Sequence, residues 1–122
     1  MRIAKDLVAA SATPLVLGIL AEEESYGYAI LKEVSERSGG RLEWTEGLLY
    51  PLLHRLERLG YIASIWRTPE GGRKRKYYRI TDEGRAELAE QRRQWAAVTE
   101  ALQDVWKASR SFGPGSSPVW EG

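Results

Sequence analysis

No cysteine occurs among the 122 residues, which excludes disulfides and thiolate metal sites and fits a reducing cytoplasm. Histidine is nearly absent too. The single one, His54, has no carboxylate cluster at ligand spacing beside it, so neither a metal centre nor a histidine-based catalytic site is expected. A glycine-rich phosphate loop is missing. Long apolar runs are missing as well: the longest, Leu15 to Ala21, is far below the roughly 20 residues of a membrane span. Its acidic flank, Glu22-Glu23-Glu24, does not resemble a signal-peptide cleavage site. These absences argue against an enzyme, a resident cofactor and membrane insertion, and a cytoplasmic binding protein is expected.

Net charge is also small, +1 overall, but its distribution is uneven. Residues 67–79 hold six cations and one anion, a local +5 that leaves −4 for the remainder. Positive charge focused on one segment is the electrostatic footprint of a polyanion-binding surface.

That segment follows a stretch of helical periodicity. Leucines at 49, 52, 53, 56 and 59 recur at three- and four-residue steps, while Gly47, Tyr50, Pro51, His54 and Arg58 fall on the other side; one face is expected to be buried and the other free for DNA. Thr45 and Glu46 are the start signals of this helix and Gly60 its stop. Strands are expected at about 61–67 and 74–80, joined through Thr68-Pro69-Glu70-Gly71-Gly72. The returning strand carries Arg73-Lys74-Arg75-Lys76 before Tyr77-Tyr78. Such a basic hairpin suits a phosphate backbone, and its two tyrosines must point to opposite faces, so at most one is buried locally.

Around this centre, residues 1–12 read as a separate N-terminal helix. Thr13-Pro14 reads as an N-cap and first helical residue of a second, two-turn helix ending near Leu20, and Ser25 as the N-cap of a third that Gly39-Gly40 ends. Gly27 would let a neighbouring helix approach closely. Thr81, with Asp82 and Glu83 behind it, caps a long last helix. On it Leu88, Trp95 and Leu102 are seven apart, as are Gln91, Val98 and Val105, giving a seam that needs a partner. The division expected is an N-terminal dimerisation helix (1–12), a winged helix-turn-helix (13–80), a C-terminal dimerisation helix (81–110) and a disordered Gly, Pro and Ser-rich tail (111–122). The fold class is mainly α with a small β-hairpin.

This order, with Tyr26-Gly27-Tyr28, Leu49-Tyr50-Pro51-Leu52-Leu53-His54-Arg55-Leu56-Glu57, Gly60, Gly72-Arg73, Lys76-Tyr77-Tyr78, Thr81 and Gly84 in place, closely resembles the PadR family of bacterial winged-helix transcription regulators over roughly residues 13–106. The single short C-terminal helix is similar to the smaller subgroup that includes multidrug-transporter regulators such as LmrR. The resemblance implies a homodimer on double-stranded operator DNA, most often a repressor. It also implies that Trp95 meets its symmetry mate across a dimer pore and stacks on a flat aromatic effector; plain interface packing explains the same residue, and both readings stay open. One departure is Leu48, where family members commonly carry Ser or Thr. A leucine there offers only apolar contact, for example to a thymine methyl.

The candidate DNA-contacting residues are therefore Thr45, Gly47, Leu48, Tyr50, Pro51, His54 and Arg55 from the helix and Gly72, Arg73, Lys74, Arg75, Lys76 and Tyr77 from the wing. Candidate interface residues are Leu7, Val8, Leu88, Gln91, Trp95, Val98, Leu102, Val105 and Trp106. The alternative function is a winged-helix protein-interaction module, which would use the same face against acidic partners without salt-sensitive, sequence-selective duplex binding.

Overall fold

The computed structural model describes residues 1–110, with the elements α1 (Lys5–Glu22), β1 (Ser25–Tyr26), α2 (Gly27–Arg37), α3 (Glu46–Arg58), β2 (Ile62–Arg67), β3 (Arg75–Ile80) and α4 (Asp82–Arg110). It is mainly helical with one small antiparallel sheet. The tail expected to be disordered, 111–122, lies outside the described residues.

The first helix departs from expectation. Residues 5–22 form one continuous helix with Pro14 inside it and Ala4, not Thr13, at its N-cap. Proline in a helix interior costs about 3 kcal/mol through a lost hydrogen bond and a clash with the preceding turn. Here the helix buries Ala12 before the proline and Val16, Leu17, Ile19 and Leu20 after it, and that packing outweighs the local penalty.

Ser25 is the second departure. It caps nothing; Ser25 and Tyr26 pair with Tyr78 and Tyr77 to add a third strand, so the sheet order is β1-β3-β2. Tyr26 takes the N-cap position of α2, with no side-chain cap. The extra strand occupies the free edge of β3, whose backbone groups a two-stranded hairpin would leave unpaired. The expected stop of α2 is present, with Gly39 and Gly40 both at positive φ.

Around α3 the local signals hold. Thr45 Oγ1 accepts from Leu48 N–H at 3.2 Å, and the helix runs unbroken through Pro51. At its other end Gly60 N–H donates to Glu57 O (3.0 Å) and Tyr61 N–H to Leu56 O (2.9 Å), with Gly60 at φ 83°: a Schellman stop that needs a residue free to turn left-handed. Thr81 then joins this turn to α4, its hydroxyl donating to Gly60 O (2.6 Å) and accepting from Gly84 N–H (3.0 Å).

The core collects α1 (Val16, Leu17, Leu20), α2 (Ile30, Val34), α3 (Leu49, Leu52, Leu53, Leu56), Trp44 and the sheet (Ile62, Tyr78, Ile80). Residues 1–89 form one compact unit, and a second begins at Glu90. In the first, Val8 and Leu88, both expected at an interface, pack against their own chain's core, while Leu7 is exposed. Leu88 thus leaves the seam. In the second, Gln91 and Trp95 are half-buried, and Val98, Leu102, Val105 and Trp106 are exposed.

Candidate nucleic-acid interface

The periodicity of α3 resolves into two faces. Leu49, Leu52, Leu53 and Leu56 are buried, and Gly47, Tyr50, Pro51, His54, Arg55 and Arg58 are exposed. The leucine stripe ends a turn earlier than its spacing suggests: Leu59 is 54% exposed, because it is the C-cap and the chain swings away at Gly60. Leu48 lies half-buried against the core, not on the open face, which answers its apolar character by packing. Thr45 is exposed and spends its side chain on the cap.

Tyr50 is not a free side chain. Its ring covers Gly27, where an added Cβ would sit 2.5 Å from the phenol oxygen and 2.8 Å from Cζ. The close approach that Gly27 permits is therefore to Tyr50, and it fixes the phenol at the start of α2 with 39% of the residue still exposed.

The wing follows from strand alternation. The pairs Ile62↔Ile80, Ser64↔Tyr78 and Trp66↔Lys76 share one face, and Ala63↔Arg79, Ile65↔Tyr77 and Arg67↔Arg75 the other. On the first face Tyr78 is buried, and its phenol is held above the ordinary tyrosine range chiefly by burial, with the negative charge of Glu57 and then Tyr50 adding to it. On the second, Tyr77 is half-buried in an edge-on contact with Tyr26 (5.4 Å between centroids). Arg67 lies over Tyr77 and pairs with Glu24.

Three of the four consecutive cations lie over aromatic rings: Lys74 over Trp66 (5.4 Å), Arg75 over Tyr26 (4.5 Å) and Lys76 over Tyr78 (5.6 Å). Such contacts keep the charge while restricting the long side chain. Arg73 is exposed at the wing tip, and Gly72 closes the preceding turn by donating to Pro69 O (2.8 Å).

These elements bound one open concavity of about 510 Å³, lined by Tyr26, Gly27 and Tyr28 at the start of α2, Tyr50 and His54 of α3, and Trp66, Lys74, Arg75, Lys76 and Tyr78 of the wing. Of the residues expected at a DNA surface, the structure brings Tyr50, His54, Lys74, Arg75 and Lys76 together here; Tyr77 and Leu48 are placed elsewhere. Tyr28 and Trp66, 66% and 57% exposed, were missed. Trp66 had one signal, an aromatic near the end of the strand that enters the wing turn, but only the register sets it beside Lys74 and Lys76. Hydroxyl and imidazole donors, flat rings and clustered cations suit phosphates and base edges. Among the described residues no group of three or more His, Cys, Asp or Glu is placed to hold a metal ion, and no helix is long and apolar enough to cross a membrane.

Comparison with known proteins agrees. Residues 16–90 match the profile described as the transcriptional regulator PadR-like family. A transcriptional regulator of Mycobacterium tuberculosis is 44% identical over 90 residues, 74% of this chain and 78% of the relative. Among solved structures, a PadR family transcriptional regulator from Eggerthella lenta shares 38% identity with a TM-score of 0.69, covering 83% of this chain and 82% of that one. A transcriptional regulator from Clostridium thermocellum superposes with a TM-score of 0.76 at 29% identity, covering 82% and 97%.

Proposed function

Because the chain belongs to the PadR-like family of transcriptional regulators, a family of DNA-binding regulators and not of enzymes, we propose that it acts as a homodimeric repressor whose α3 reads operator DNA while the wing grips flanking phosphates. The observation that carries this reading is the shared concavity: the exposed side of α3 and the cations of residues 74–76 line one surface. In the proposed division residues 13–80 carry the reading head, and the outward faces of residues 1–12 and 81–110, without Val8, Ala12 and Leu88, which pack on their own chain's core, pair with a second copy. Two-fold symmetry then requires a pseudo-palindromic operator with half-sites about one helical turn apart.

Selection of bound sequences from random duplex DNA, followed by salt titration, tests the proposal. Recovery of a two-half-site consensus is expected. Replacing both Arg73 and Lys74 by Ala should weaken all duplexes alike and lower the magnitude of the slope of log K against log salt by about 0.9 per cation. Binding without sequence preference or salt dependence would instead favour the protein-interaction module.

The effector belongs to the same proposal. A flat aromatic molecule is expected to bind between the paired Trp95 side chains, where two indole faces offer stacking and, for a cation, attraction to the ring. The half-burial of Trp95 on the 29-residue α4 is compatible with such a place, and the resemblance to the smaller subgroup suggests it. Titration with planar dyes should quench tryptophan fluorescence in the wild type and fail to do so in a dimeric Trp95→Ala variant. Equal binding by the two would return Trp95 to interface packing. Release of DNA further requires that the ligand favour a different separation of the heads.

A further inference from the structure

One carboxylate joins three elements of the reading head. Glu57 stands in the last turn of α3, half-buried, and accepts a hydrogen bond from Ser64 Oγ of β2 at 2.5 Å on one oxygen. Its other oxygen lies 3.7 Å from Lys76 Nζ of β3. The Lys76 ammonium also sits over the Tyr78 ring at 5.6 Å, and its side chain is only 29% exposed, whereas Arg73, Lys74 and Arg75 before it are exposed residues. The fourth cation of the basic run is thus turned back toward the recognition helix.

We infer that Glu57 is a specificity-determining positioning residue: it clips both wing strands to α3 and withholds Lys76 from the DNA backbone. Its consequence is physical. A cation released to a phosphate adds affinity that is the same for every sequence, because phosphate contacts carry no base information. A cation held by Glu57 adds none, and the fixed angle between wing and helix leaves discrimination to α3. Phosphate gripping then falls to the wing cations ahead of Lys76, and Glu57 limits how strongly the protein holds irrelevant duplex.

The inference rests on the DNA-binding reading, and a double-mutant cycle on the full chain separates the two. Glu57→Gln keeps the side-chain length and an acceptor for Ser64 but removes the charge that holds Lys76. It is expected to tighten binding to random duplex, to narrow the ratio of operator to random affinity, and to steepen the log K against log salt slope by about 0.9. Lys76→Ala in that background should remove the added slope, whereas Lys76→Gln or Lys76→Ala in the otherwise unaltered chain should leave the slope where it was. Removing a nearby negative charge without releasing Lys76 would instead make the Lys76 substitution act equally in both backgrounds. That additive result overturns the inference, as does a slope already lowered by Lys76→Gln in the unaltered chain. The latter variant leaves Glu57 in place, so it decides the question even if Glu57→Gln folds poorly. A wild type that binds no duplex in a salt-dependent way sinks the DNA-binding reading itself, a distinct outcome.

Discussion

Substituting Gly84 by Ala is expected to lower stability by about 3 kcal/mol, near the upper end for an overpacked site, and the thermal midpoint by roughly 10 °C. Gly84 lies in the first turn of α4 and is buried. An added Cβ would land on the carbonyl oxygen of Tyr61 and 2.7 Å from Ile80 Cγ1. Neither neighbour can move freely: the Tyr61 carbonyl accepts from Thr81 N–H at 3.0 Å, and Ile80 is in the core. Alanine would ordinarily improve a helix by about 1 kcal/mol over glycine, so the sign of the result isolates the clash. Gly18→Ala is the counterpart, since that glycine is inside α1 with nothing within 4 Å of the added atom, and it should stabilise by about 0.5–1 kcal/mol. Thermal melts of the two variants, read by circular dichroism, check both; a neutral Gly84→Ala would show that α4 can shift away from Tyr61.

Local signals were legible wherever a side chain bonds its own backbone neighbourhood. Thr45, Gly60 and Thr81 announce the ends of α3 and the start of α4 in sequence, because a cap or a left-handed stop depends on residues only three or four apart. The same kind of reading failed at Thr13-Pro14 and Ser25. There the outcome is set by distant partners: the core residues that hold α1 together across Pro14, and the β3 edge that captures Ser25-Tyr26. Local preference is a weak prior once such contacts exist.

At the candidate interface, periodicity was enough to expose His54 and Tyr50, and charge clustering was enough to find the wing. Neither reports what a side chain leans on. Lys76 reads like its three neighbours in the sequence, yet the strand register places it opposite Trp66 and within reach of Glu57, and Tyr77 is turned to the face where Tyr26 meets it edge-on. Glu57 itself sits among helix-forming residues with no visible reason to be singled out. Its role depends on Ser64 and Lys76, seven and nineteen residues away, meeting at one point in space.

Introducing Asp at Leu102 is expected to raise the dissociation constant of the proposed dimer at least a hundredfold, the equivalent of about 3 kcal/mol for burying an unpaired carboxylate. Val98, Leu102, Val105 and Trp106 of α4 are 51%, 41%, 63% and 52% exposed within one chain. An apolar strip of that kind on an isolated helix is unstable in water, so a second copy is its natural cover. Leu102 is the informative position because it stands seven residues beyond Trp95 in the seam and, unlike Leu88, is not among the described residues that build or pack against the core. The variant's head should therefore stay folded. Sedimentation is expected to show a dimer for the wild type at micromolar concentration and a monomer for Leu102→Asp. Operator affinity should fall with it, since two half-sites held by one dimer gain from effective concentration what separate heads must supply by bulk concentration. Non-specific salt-dependent binding by each head should persist. A stable wild-type monomer, or a variant that stays dimeric, would move pairing away from α4 and with it the pore proposed at Trp95.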